Sequence, residues 1–178
     1  MEAIQKREEA PSTNAPGPSN ARRVDQNELR VNSMLAIPVL AAAFILDRWE
    51  LVAFQAMALL LTTLHLGLGP YVALYRHVLR PSGLIKPDLC IDNPEPHRFA
   101  TLFGTGVAST AAYLLATGRS TAGWGLVWLL MTLAAVSFSG WCAGCFTYYM
   151  MNRLGLRRWF KHSPITGTFP GARPPKAG

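Results

Sequence analysis

AGWGLVWLLMTLAAVSFSGWCAGCFTYYMM, residues Ala122–Met151, runs for thirty positions without one Asp, Glu, Lys or Arg. A helix crosses the bilayer's hydrocarbon core in roughly 17–25 residues, so an uncharged run of this length predicts a membrane span. It is longer than a bilayer needs, which predicts a tilted or protruding helix. Its last third holds two thiols, Cys142 and Cys145, spaced to share one face of a helix.

The same scarcity of charge extends over much of the chain. Between Met34 and Tyr75 the formal charges are Asp47, Arg48 and Glu50, and between Phe99 and Met151 there is Arg119 alone. Half of the 178 residues are hydrophobic and 15% are charged, which excludes an ordinary soluble domain. The expected fold is all-α: an integral membrane bundle of four transmembrane helices over about 32–48, 51–75, 99–118 and 122–151, forming a domain from 21 to 155. The first apolar run, Met34–Leu46, has thirteen residues and contains Pro38. It spans only with its flanks, and a half-inserted helix is the alternative. Ahead of it, RRVDQNELRVNS reads as a short helix lying on the membrane surface. Gly104, Ala108 and Ala112 form a small-residue stripe that admits a second helix closely. Residues 1–20, rich in Pro, Ser and Asn, read as a disordered tail. Residues 156–178 read as a basic, Pro/Gly-rich, extended one. No cleavable signal peptide is visible.

Four spans put both termini on one side, and the basic residues agree. Fifteen of the 17 Lys and Arg fall in the N-terminal segment, the middle loop and the C-terminal tail, leaving Arg48 and Arg119 for the two short opposite loops. The positive-inside rule makes the rich side cytoplasmic, hence a multi-pass protein of the cytoplasmic (inner) membrane. Arg157-Arg158-Trp159-Phe160-Lys161 suits an anionic lipid surface. The net charge of +7 thus serves topology, and no motif for nucleic acid accompanies it.

The chemistry centres on Cys142 and Cys145 as a redox pair. Cysteine is also a small buried hydrophobe, so the spacing by itself leaves function open. On a continuous last span the pair sits late in a helix and in apolar surroundings, which raises thiol pKa and argues against a thioredoxin-type site. His65 and Cys142 each lie eleven residues before a basic marker, Arg76 and Arg153. At about 1.5 Å per residue both are then ~16 Å deep, making His65 a candidate proton partner. Its plainer role is a hydrogen bond to a carbonyl across a helix interface. Arg98, Arg30 and Asn32 are the candidate binding groups near the mouth. Cys90, in the middle loop, reads as an ordinary reduced thiol. PEPHRFA (Pro94–Ala100) reads as an extended, proline-fixed lead-in to the third span. Neither a metal nor another cofactor is called for.

Three segments, VDQNELRVNS (Val24–Ser33), EPHRFA (Glu95–Ala100) and GWCAGCFTYYMMNRLG (Gly140–Gly155), together resemble the bacterial membrane family known as domain of unknown function 4395. The resemblance implies a compact four-span protein with Cys-x-Gly-Cys in its last span, matched by Cys142, Gly144 and Cys145. It also marks Asp25, Asn27, Arg30, Asn32, Pro96, Arg98 and Phe99. Its implied setting is thiol or sulfur metabolism, with a cytoplasmic thioredoxin-like protein or sulfurtransferase as partner beside the lipid bilayer. The alternatives are a non-enzymatic accessory subunit docking with other membrane subunits, or a small transporter or soft-metal carrier. Two thiols alone half-fill a tetrahedral site.

Overall fold

The computed structural model describes residues 22–64, 69–83, 88–160, 163–164 and 169–173. The N-terminal tail to residue 20 and His65 lie outside them.

The chain opens on a short strand, β1 (Arg22–Asp25), and turns at once into α1 (Gln26–Ile45). Asp25 is the N-cap. Its Oδ1 accepts the backbone N–H groups of Asn27 and Asp88, and its Oδ2 accepts from the Tyr75 hydroxyl at 2.8 Å. One carboxylate therefore ties the start of α1 to two distant segments. The expected surface helix and short first span are one continuous helix, with Pro38 on its exposed side. Val31 and Ser33 face inward.

After a tight turn, α2 (Trp49–Leu64) returns, and Gly69 then introduces α3 (Pro70–Leu74) and a π-helical turn, Tyr75–Leu79. A Cβ on Gly69 would clash with Thr62 Oγ1, so the chain folds back against α2 there. Strand β2 (Leu89–Asp92) pairs antiparallel with β1, Val24 opposite Cys90. This ribbon is an addition to the expected all-α architecture.

The next helix, α4 (Pro94–Ala116), begins five residues before the expected third span. Pro94 and Pro96 fall in its first turn, where the backbone N–H groups have no helical partner and proline costs nothing in hydrogen bonding. The extended lead-in is thus helical. Finally α5 (Ser120–Phe138) returns, and a separate helix, α6 (Ala143–Arg153), follows it.

Helices α1, α2, α4 and α5 form the bundle, each packed on two neighbours. Its core is Leu40 and Ala43 of α1, Val52, Ala56 and Leu59 of α2, Ala108, Ala111 and Ala112 of α4, and Val127 and Leu130 of α5. Ala108 and Ala112 of the small-residue stripe are buried within this bundle, and Gly104 is partly exposed. Helices α1, α4 and α5 are long and apolar enough to cross a membrane, and α2 is a shorter apolar helix. Phe44, Phe54, Met57, Leu102, Phe103, Trp128 and Leu129 stand exposed on the outside, the surface expected of a bundle that meets lipid. The ribbon, α6 and the C-terminal segment gather at the end of the bundle where α1 and α4 begin. That end carries the candidate site.

Candidate functional site

The site exists because the long uncharged run breaks. Ser139 caps α5 and Gly140 follows with φ +102°. The N–H of Gly140 donates to the carbonyl of Ser137, and that of Trp141 to Val136. This paired closure is the Schellman ending, whose left-handed position favours glycine. Cys142 is then extended, at φ −101° and ψ 109°, and becomes the N-cap of α6. Its sulfur accepts the backbone N–H of Cys145 at 3.2 Å. The pair therefore stands at a helix N-terminus, not late in a helix, and the depth counted along a continuous span does not apply to it.

Two glycines hold α6 in place. A Cβ on Gly144 would lie 2.5 Å from the Cβ of Ala100, so only glycine lets α6 approach α4 this closely. His97, one turn before Ala100 on α4, is thereby brought to the thiols. Gly171, at φ +81°, lies where a Cβ would be 2.8 Å from the carbonyl oxygen of Cys142. Its own carbonyl accepts the Cys142 N–H at 2.8 Å, and Trp141 bridges to Ala172. Arg173 donates its backbone N–H to Gly140 and its guanidinium to Asp88. Residues 169–173 form a strap across the thiol loop, with Phe169 stacked on Phe146.

A relay runs through the site. The thiol of Cys145 donates to Cys142 Sγ at 2.7 Å, and Cys145 Sγ is 3.4 Å from His97 Nδ1. His97 Nε2 lies 2.8 Å from Asp92 Oδ2, which also accepts from Gln26 Nε2, while Asp92 Oδ1 accepts the Asn93 N–H. Asp92 thus holds Nε2 as the protonated nitrogen and leaves Nδ1 to exchange a proton with Cys145. The Cys145 thiol, followed by His97 and the Cys145 N–H, holds Cys142 below the usual thiol range against the opposing effect of burial. Cys145, 3% exposed, is pushed up by its bond to Cys142 and then by burial. The two members are unequal: Cys142 is partly exposed and Cys145 is buried behind it.

Two cavities meet at Cys142. A small one of about 100 Å³ lies between the relay and the strap and is lined by Arg30, Asn32, His97, Cys145 and Arg173. A larger one of about 280 Å³ leads into the bundle, past Phe103 and Gln55. Arg30 and Asn32 therefore share a cavity with the pair, whereas Arg98 is exposed and lines neither. The donor atoms of His97, Cys142 and Cys145 lie within 4.8 Å of one another, a grouping that suits a soft ion.

His97, Asp92 and Gln26 escape a reading that takes Pro94–Ala100 as extended. The signal was present in Asn93-Pro94, a helix-start dipeptide that puts His97 in a first turn.

Fold and site together define a helical bundle, compatible with a membrane, that carries a dithiol–imidazole–carboxylate site at one end. The chain belongs to the family described as domain of unknown function DUF4395, whose model matches residues 24–153. Among curated proteins and among solved structures there is no match to this chain.

Proposed function

We propose that this is a cytoplasmic-membrane thiol–disulfide exchange protein with four crossing helices and its site towards the cytoplasm. One observation carries the reading: Cys142 is an N-cap whose sulfur accepts two hydrogen bonds, with a buried second thiol 2.7 Å behind it. A helix N-terminus favours the thiolate, and the thiolate is the nucleophile. Cys142 attacks a partner disulfide, forming a mixed disulfide and releasing one partner thiolate. His97 gives a proton to the released partner thiolate and then takes the proton of Cys145, which attacks Cys142 Sγ, closes Cys142–Cys145 and releases the second partner sulfur. Two electrons move to the partner, and the reverse sequence lets a partner dithiol reduce the pair. A thioredoxin-like cytoplasmic protein is the fitting partner. The same thiolate would take the outer sulfur of a persulfide donor, forming a Cys142 persulfide as the donor's S–S bond breaks and its thiolate leaves.

The test is thiol trapping in intact membranes poised at known potentials. Cys142 and Cys145 should change state together as one two-electron couple, a tenfold change in ratio for about 30 mV. A pair that never changes state, together with silent Cys142→Ser and Cys145→Ser strains under oxidative or sulfur stress, sinks the proposal. A soft-metal carrier is the second reading, favoured by the three clustered donors and by Asp92 behind His97, since metal-binding imidazoles are usually backed by a carboxylate. Metal analysis of purified protein, with and without Cys142→Ser, separates the two.

A further inference from the structure

The larger cavity has features that thiol exchange with a soluble protein does not use. Its walls are mainly apolar side chains of α1, α2, α4 and α5, among them Leu40, Leu59 and Leu133, and it reaches Cys142 at its upper end. Gln55 lines it at 1% exposure. The Tyr71 hydroxyl donates to Gln55 Oε1, and Nε2 is buried with no hydrogen-bond partner among the described residues. Asn32 Oδ1, on the same cavity, is likewise buried with no partner among the described residues. Buried polar groups almost always have partners, so an unpaired donor and an unpaired acceptor in one apolar cavity indicate an occupant that supplies both. Phe103 lines the cavity while 54% exposed, so the space extends to the outer surface of the bundle.

The occupant is apolar, accepts a hydrogen bond from Gln55, can donate one to Asn32, and lies beside a two-electron donor. We propose, on the footing of the thiol reading above, that the cavity holds the ring of a lipid-soluble quinone that reoxidises the Cys142–Cys145 dithiol. A quinone carbonyl accepts from an amide N–H, and the hydroxyl it becomes donates to an amide oxygen. Drug-sized sites begin at roughly 300 Å³, so this volume takes a ring and leaves an isoprenoid tail in lipid beyond Phe103. The reaction balances without a further reagent. The Cys142–Cys145 bond forms, two electrons and two protons leave the dithiol, and both quinone carbonyls become hydroxyls. Electrons from a cytoplasmic dithiol would pass through the pair to the membrane quinone pool.

The experiment uses the full chain in phospholipid nanodiscs, reduced, freed of reductant without air, and mixed with decylubiquinone. Its ring is fully substituted, so thiols cannot add to an open carbon. Quinone absorbance and alkylatable thiols are followed together, with a small soluble aromatic disulfide as the second substrate. The expected result is one quinone reduced per two thiols lost, and none reduced by Cys142→Ser. Gln55→Leu should raise the quinone KM at least tenfold. Ala134→Phe, which fills the cavity without removing a polar group, should lower the quinone rate relative to the disulfide rate by a similar factor. Wild-type protein that reacts with the disulfide and leaves the quinone oxidised overturns this inference while the thiol reading stands; inertness towards both substrates overturns both. Ordinary quinone kinetics in both cavity variants would overturn the assignment of the cavity.

Discussion

At Cys142 two effects of opposite sign meet. Burial favours the neutral thiol, whereas the Cys145 thiol, His97 and the Cys145 N–H favour the thiolate, and the favouring groups prevail. A lowered pKa means that the reactive form persists as pH falls and disappears only on passing that lowered value. The rate of iodoacetamide alkylation at Cys142 should therefore have its midpoint below the ordinary thiol value of about 8.5. Cys145→Ala, which removes the foremost donor, should move that midpoint up; a wild-type midpoint at or above the ordinary value would refute the assignment. His97 acts one step later. General acid–base groups contribute typically ~10²–10⁴-fold, so His97→Ala should slow release of the mixed disulfide by about 100-fold at neutral pH. The first attack by Cys142 should change much less, and stopped-flow measurement of the two phases separates them.

Helix α6 is held by contact rather than by length. Gly144→Val places a side chain where Ala100 already stands. Overpacking of this kind costs typically 1–3 kcal/mol, and the cheapest relief is for α6 to lift from α4. Cys145 should then become alkylatable in protein whose helical circular dichroism is unchanged, whereas continued protection of Cys145 would show that α6 does not depend on this contact. How much of this was legible differs by element. The apolar helices declare themselves through absence of charge, because a lipid-facing surface tolerates little else. The break between α5 and α6 was written as Ser139-Gly140, but a glycine in an uncharged run also reads as a packing residue, and only the backbone shows its positive φ. The thiol pair could be named from spacing alone. Its partners could not: His97 lies 45 residues from Cys142 in the sequence, and a proline-rich approach concealed the helical turn that carries it. His65 attracted attention because it interrupts an apolar run, and that argument concerns depth along one helix, not proximity in space.

The whole molecule is polarised. The relay, ribbon, α6 and strap lie at one end of the bundle, together with most of the basic residues whose positions the structure describes, while Arg48 and Arg119 mark the other. If the basic end faces the cytoplasm, a membrane-impermeant maleimide should label Cys142 in inverted vesicles and leave it unlabelled in intact cells. The opposite pattern would reverse the orientation. The strap adds a constraint of a different kind, one of timing. Gly171 supplies the acceptor for the Cys142 N–H and Arg173 the donor to Gly140, so the loop that shapes the nucleophile is closed by residues made 29 and more positions after it. At about 5–20 residues per second, synthesis needs roughly one and a half to six seconds to cover that distance. During that interval the bundle helices are already present while the thiol loop lacks its final hydrogen bonds. The newborn chain therefore carries an unfinished reactive pair after its bundle helices have been made, and the pair acquires its chemistry only when residues 171–173 arrive.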